Sequence, residues 1–170
     1  MVAESDNNAA DILLAYAGGA EQTQAYLNRL GFGGIDVSVS EKEMNADIAK
    51  QYVNRASPAD VVRFLKTVRE GDILTPENRK FFDKIMTATV TGGDKLKAGL
   101  PQGTVFGHKT GSSSRTAEGI KIADNDAGFV ILPDGRTYYI AVMVSDSRMS
   151  DRENAAFAAE ISAVVYNRLR

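Results

Sequence analysis

The stretch FGHKTGSSS, residues 106–114, ends a predicted strand in a lysine followed only by small residues. Nothing large follows Lys109 to pack against a neighbouring element. Gly111 has no side chain, so a ligand or another backbone can approach the strand closely there. The stretch is therefore a candidate binding site. The alternative is an ordinary strand end that binds nothing.

Two other polar clusters carry residue types that occur in active sites. Ser5-Asp6-Asn7 lies just before the first predicted helix, where the same residues would also serve as helix caps. Glu41 and Asn45 are four residues apart, so a carboxylate and an amide could share a bound water; a solvated charged turn is the alternative. His108 is expected to pack within its strand, because the chain has no second histidine to complete a metal site.

Helices must position most of these residues. Apolar periodicity, capping residues and terminal glycines predict five of them. They cover residues 8–16, 21–30 and 57–71, a segment that begins at Thr75 and carries Phe81, Phe82, Ile85 and Met86, and residues 151–170. The last helix, with apolar residues at positions 155, 157, 161, 164, 165 and 169, is expected to cover a sheet.

Strands cluster towards the end of the chain. The predicted strands are residues 104–109, residues 119–123 and a hairpin over 129–144 with a Pro-Asp-Gly turn. Residues 138–144 are apolar at nearly every position, which indicates burial on both faces. Residues 31–56 show no sustained period and are predicted to be a long functional loop. The order of elements predicts an α+β fold with antiparallel strands.

Composition excludes several classes of protein. A net charge of −2 over 170 residues gives no basic surface for nucleic acid. No stretch is apolar enough to span a membrane, and the first residues lack the features of a signal peptide. The absence of cysteine excludes disulfides and thiolate metal sites. We expect no cofactor, no metal, no nucleic-acid partner and no membrane partner.

Taken together, the three clusters resemble one family. Ser-Asp-Asn and Lys-Thr-Gly, with a Ser-x-x-Lys element, are the signature of class A β-lactamases and penicillin-binding proteins. The sequence resembles a class A serine β-lactamase over essentially all 170 residues. The 36 positions from Ser5 to Glu41 and the 68 from Glu41 to Lys109 match that family. Glu41 to Asn45 resembles its Glu-x-x-Leu-Asn element, with Met44 in place of leucine.

This resemblance implies a β-lactamase fold, truncated, with one partial catalytic domain over residues 1–170. Its helical part would reach to about residue 100 and its sheet and last helix would cover about 101–170. Residue roles follow in the same way, with Glu41 as the base for a deacylating water, Asn45 as its holder and Ser5 as a proton relay. Asn7 would contact the acylamide side chain of a β-lactam substrate.

The resemblance places the substrate's carboxylate at the strand end. Lys109 would supply positive potential, while Thr110 and Ser112 would donate hydrogen bonds and Gly111 would admit the substrate. The backbone N–H of Ser112 would form half of an oxyanion hole. By the same resemblance, Lys95 stands where some members of the family have an arginine and would add to the attraction for the carboxylate.

One element of the signature is absent. No serine of the chain is followed three positions later by lysine, so the Ser-x-x-Lys nucleophile is not among these residues. The chain is interpreted as a C-terminal fragment that needs an N-terminal segment to complete its site and would be a monomer when complete. Alternatives are a fragment of a penicillin-binding peptidase and an inactive β-lactam-binding remnant. By resemblance, the enzyme would be periplasmic or secreted, and the isolated chain would aggregate or partly unfold.

Overall fold

A computed structural model describes all 170 residues. Most helices come first, the three long strands follow one another and a last helix ends the chain, an order that confirms the predicted α+β class. The helices are α1 (Asn7–Tyr16), α2 (Gly19–Arg29), α3 (Glu41–Ala46), α4 (Pro58–Glu70), α5 (Pro76–Thr87) and α6 (Asp151–Leu169). The strands are β1 (Ile35–Asp36), β2 (Arg55–Ala56), β3 (Val105–Ser112), β4 (Lys121–Ile131) and β5 (Thr137–Ser147). None of the helices is both long and apolar enough to cross a lipid bilayer.

Helix starts follow the capping residues that the sequence indicates. The Ser57 side chain accepts a hydrogen bond from the Asp60 N–H at the start of α4, and Thr75 does the same for Asn78 in α5. Proline occupies the first turn of both helices, where its missing N–H costs nothing. These local signals fix both boundaries to within a residue of the prediction.

Strands β3, β4 and β5 form one antiparallel sheet in that order. The β3–β4 ladder runs from Val105 opposite Ile131 to Ser112 opposite Asp124. Strand β3 therefore begins one residue later and ends three residues later than predicted, and its polar end is paired to β4 throughout. Strand β5 pairs only with β4 and forms an edge of the sheet.

Strand β4 corrects the sequence prediction. Residues 119–123 and 129–132 were expected to be separate strands, but they belong to one continuous strand, Lys121–Ile131. The polar residues Asp124, Asn125 and Asp126 between them are typical of a loop. In the structure Asp124 and Asp126 point into the protein and are only 5% and 1% exposed. Partners from distant segments satisfy most of their oxygens, which allows the strand to continue.

Helices cover both faces of the sheet. On one face α6 packs over a core that includes Phe106, Val130 and Val142. On the other face α4 and α5 contribute Leu65 and Met86, which pack against Phe129. In β5 the first face buries Ile140 and Val142, whereas the residues of the second face are only half-buried, so the predicted two-sided burial is confirmed in the middle of one face and is partial on the other.

Helix α6 buries Ala155 and packs Ile161 and Val165 against the core as predicted, but the rest of its buried face differs from the prediction. Phe157 is 51% exposed and Val164 is 70% exposed, whereas the helix buries Asn154, Ala155, Ala158, Ser162 and Tyr166. The reason is a close approach of the backbone. A Cβ placed on Gly99 would lie only 2.0 Å from the carbonyl oxygen of Ala159, so mostly small side chains fit on this face. The prediction that Phe157, Val164 and Leu169 cover the sheet is therefore wrong.

The segment predicted as a long loop is closed at its base. Strands β1 and β2 pair over two residues each, and α3 and a 3₁₀ turn, Ile48–Tyr52, lie between them. The Asn54 side chain accepts hydrogen bonds from the N–H groups of Ser38 and Val39, at 2.8 and 3.1 Å, and donates to the Val39 carbonyl. The structure thus presents Glu41 on a short helix within a closed loop.

Candidate active site

Ser5, Glu41 and Lys109 line one cavity of about 170 Å³. Seven of the eight predicted site residues border it. Its lining is Met1, Ser5, Asp6, Asn7, Ala10, Glu41, Lys109, Thr110, Gly111 and Ser112. Asn45 instead borders an adjacent cavity of about 420 Å³, which Glu41 and Asn7 also line. The structure therefore brings seven of the predicted residues together around one cavity and places Asn45 beside the neighbouring cavity.

The Ser-Asp-Asn turn both caps a helix and lines the cavity. Asp6 is the N-cap of α1, and its carboxylate accepts a hydrogen bond from the Ala9 N–H at 2.9 Å. The capping interpretation is therefore correct for Asp6. Ser5 has φ of 53°, a left-handed conformation that is unfavourable for serine. Its hydroxyl accepts a hydrogen bond of 2.7 Å from Lys109 Nζ.

Hydrogen bonds to the backbone of α3 fix the position of Glu41. Ser40 caps α3, and Asp11 on α1 accepts hydrogen bonds from the N–H groups of Glu41 and Lys42 at 2.8 and 2.9 Å. Burial raises the pKa of Glu41, the charge of Asp11 raises it further, and the charge of Lys109 acts against both. A carboxylate with a raised pKa is a stronger base than an ordinary glutamate.

Lys109 reaches across the cavity from β3. Its ammonium group donates to Ser5 Oγ and to the carbonyl oxygen of Thr110. Burial lowers the pKa of Lys109; Glu41 and Asp126 raise it, and the nearby charge of Lys95 lowers it. The ammonium group is therefore partly desolvated, which strengthens its attraction for an anion.

The other strand residues differ in how their side chains are engaged. Thr110 shares a 2.7 Å hydrogen bond with the Thr91 hydroxyl. Ser112 donates to Asp124 Oδ1 at 2.9 Å, so its hydroxyl proton is already used. A Cβ on Gly111 would meet only Asn125, at 4.0 Å, so the protein leaves this part of the strand open.

Lys95 and His108 lie near the polar end of β3 but interact with other residues and do not line the cavity. Lys95 forms an ion pair with Asp124 and does not line the cavity. His108 is 1% exposed, stacks on Phe106 with ring centroids 4.3 Å apart, and shares a 2.9 Å hydrogen bond with Asp126. The prediction that His108 packs within its strand is confirmed. No three of the acidic and histidine side chains lie together in a way that would hold a metal ion.

Sequence reasoning missed the residues that hold α3 against the strands. Asp11 had a usable signal, because it is four residues after Asn7 on the same face of α1. Gln51 had none. Its Oε1 accepts from the Ser114 N–H at 3.0 Å, and its Nε2 donates to the Met44 carbonyl at 3.2 Å. Gln51 therefore links the helix that carries Glu41 to the segment after β3.

Comparison with known proteins identifies the family. The model of the β-lactamase enzyme family matches residues 1–169, so the chain belongs to this family. It is 46% identical to a β-lactamase of Bacteroides uniformis over 170 residues, and 35% identical to β-lactamase VEB-1 of Pseudomonas aeruginosa over 168 residues. These alignments cover 99% and 98% of this chain.

Solved structures agree and specify the class. A class A β-lactamase of Bacteroides cellulosilyticus superimposes with a TM-score of 0.95 at 46% identity, over 99% of this chain and 60% of the other. The extended-spectrum β-lactamase TLA-3 superimposes with a TM-score of 0.96 at 39% identity, over 99% of this chain and 61% of the other. By family the chain belongs with the class A β-lactamases. It spans 57% of the Bacteroides uniformis protein and 56% of VEB-1.

Proposed function

We propose that this chain supplies most of the active site of an enzyme that hydrolyses β-lactam rings through a serine acyl-enzyme. The observation that carries the proposal is the shared cavity of Ser5, Glu41 and Lys109. Residues from three separate parts of the chain meet there, and their types suit proton transfer beside a cationic anchor.

Glu41 acts as the general base that activates the deacylating water. Its raised pKa supports this role, since a stronger base takes the proton of water more readily. Asn45, one helical turn further along α3, helps to hold the water from the adjacent cavity. Deacylation completes turnover by freeing the serine for another substrate.

Lys109 and Ser5 act on the lactam ring. The hydrogen bond from Lys109 Nζ to Ser5 Oγ orients the hydroxyl, which relays a proton to the leaving lactam nitrogen. Lys109 also attracts the substrate's carboxylate, with Thr110 beside it. The Ser112 N–H contributes to the oxyanion hole, Gly111 lets the substrate lie along β3, and Asn7 contacts the substrate's acylamide group.

The attacking serine comes from a Ser-x-x-Lys segment that is not among these 170 residues. With that segment the protein forms one catalytic domain, is a monomer, and acts in the periplasm or after secretion. The lengths of the relatives support the part of this proposal that concerns a further segment, because this chain aligns with little more than half of each relative.

A chimera tests the proposal. The completed chain joins the part of the Bacteroides uniformis β-lactamase that precedes the aligned region to residue 1 of this protein. It is expected to hydrolyse a chromogenic cephalosporin, while the 170 residues alone are not. Glu41→Gln should make a covalent acyl adduct accumulate in intact-mass spectra, and Glu77→Gln, at an exposed carboxylate on α5, should not. Rapid turnover by Glu41→Gln would contradict the proposed base.

Two other functions make different predictions. A penicillin-binding peptidase fragment would need no deacylating base, so its adduct would persist with Glu41 intact. An inactive β-lactam-binding remnant is favoured only by the absent Ser-x-x-Lys element. It would bind the substrate without hydrolysis even in the completed chain.

A further inference from the structure

A buried ion pair lies directly behind the polar end of β3. Asp124 on β4 is opposite Ser112 in the antiparallel register, and its side chain is only 1% exposed. Its Oδ1 accepts a hydrogen bond from the Ser112 hydroxyl at 2.9 Å and also from Lys95 Nζ. Its Oδ2 is buried and has no hydrogen-bond partner. The carboxylate is therefore shielded from water and held by Lys95 and Ser112 alone.

This arrangement changes what two residues can offer a ligand. A hydroxyl has a single proton, and that of Ser112 goes to Asp124, so the oxygen presents only lone pairs towards the cavity. The side chain of Lys95 is 11% exposed and is neutralised by the same carboxylate. Its charge is nonetheless near enough to act on Lys109. Asp124 thus restrains two groups that would otherwise attract an anion.

We propose that Asp124 is a positioning residue that limits how strongly the site selects a carboxylate-bearing ligand, because it withdraws the Ser112 proton and cancels the charge of Lys95. This inference rests on the proposed function. Binding of the substrate's carboxylate then depends on Lys109 and Thr110. Substrates whose carboxylate is esterified or lies far from Lys109 therefore lose less affinity than they would if the charge of Lys95 were not paired with Asp124.

The test compares a cephalosporin with its methyl ester. Dissociation constants are measured on the completed chain with its nucleophilic serine replaced by alanine, so that binding is read without turnover. Asp124→Asn keeps the shape of the side chain and removes its charge. The ratio of the ester's constant to the acid's is expected to rise about tenfold, as a unit charge within about 10 Å gives at an effective dielectric constant of about 20. The rise should shrink with added salt.

The double variant Lys95→Met with Asp124→Leu tests the hydroxyl separately. Replacing a buried ion pair by apolar residues is often neutral for stability, so this variant is expected to fold even if Asp124→Asn does not. Released from Asp124, Ser112 can donate to the carboxylate, and the ratio should again rise about tenfold, as expected for a hydrogen bond to a charged group. Adding Ser112→Ala should reverse that rise.

A purely structural role would weaken acid and ester equally and leave their ratio unchanged, which would overturn the inference. The matched control is Asp134→Asn, because Asp134 lies in an exposed turn and pairs only with Arg136. The two proposals fail differently. A completed chain that binds both ligands but hydrolyses neither contradicts the proposed function alone. A protein that binds neither ligand overturns both.

Discussion

Replacing Asp11 by asparagine should make the protein less stable and yet more active in acid. The two oxygens of Asp11 accept from the N–H groups of Glu41 and Lys42, at 2.8 and 2.9 Å. Asparagine keeps one acceptor and turns an NH₂ group towards the second N–H. One charge-assisted hydrogen bond is lost, and two donors then face each other.

The size of both effects follows from these contacts. Loss of one hydrogen bond to a charged group costs about 1.5 kcal/mol here, the lower end of the usual range, because Asp11 is half-exposed. The charge of Asp11 also raises the pKa of Glu41. Without that charge the pKa of Glu41 falls, so more of the base is deprotonated in acid and the acidic limb of the pH–rate profile moves to lower pH.

Urea denaturation and a pH–rate profile on the completed chain measure the two effects. Asp72→Asn is the control, since Asp72 is exposed and far along the chain from α3. A variant whose acidic limb stays in place or moves to higher pH would refute the electrostatic reasoning. Unchanged stability would refute the hydrogen-bond reasoning.

Three further outcomes are expected of the completed chain. Gln51→Ala should slow deacylation several-fold in time-resolved intact-mass spectra and lower the free energy of unfolding by about 1 kcal/mol, because it frees α3 from the segment after β3. Gly107→Ala should cost about 1–3 kcal/mol in urea denaturation, since its Cβ would lie 2.4 Å from the Phe129 ring, whereas Gly93→Ala meets nothing within 4 Å. Hydrolysis should decline in acid at a pH above the ordinary pKa of glutamate, because that of Glu41 is raised, and Glu41→Gln should remove this limb.

Local signals explain why the sequence predicted most of the helices and the candidate site. Ser57 and Thr75 cap their helices with their own side chains, and the prolines that follow fix the first turn. Such interactions span three residues and are visible in a short stretch. The Ser-Asp-Asn and Lys-Thr-Gly elements are equally local, so their residues could be named before their common cavity was known.

Long-range contacts explain what the sequence did not predict. Asp124 and Asp126 look like loop residues until Lys95 and the Leu96 N–H, 29 and 30 positions earlier, are seen to bind them. The inner face of α6 could not be chosen from its apolar residues, because the close approach of Gly99 decides it. Gln51 acts on a partner 63 positions away, and no periodicity reports that pairing.

The two-residue ladder between β1 and β2 gives the loop that carries Glu41 its own stability. These pairs and the bonds of Asn54 close residues 37–54, and a few side-chain hydrogen bonds, among them those of Asp11 and Gln51, tie the loop to the rest of the protein, so the loop can open as one unit while the main sheet stays folded. Its amide protons should exchange with deuterium together, well before those of β4. On warming, Glu41, the proposed base, would then leave the cavity through this local opening at a temperature below that of global melting.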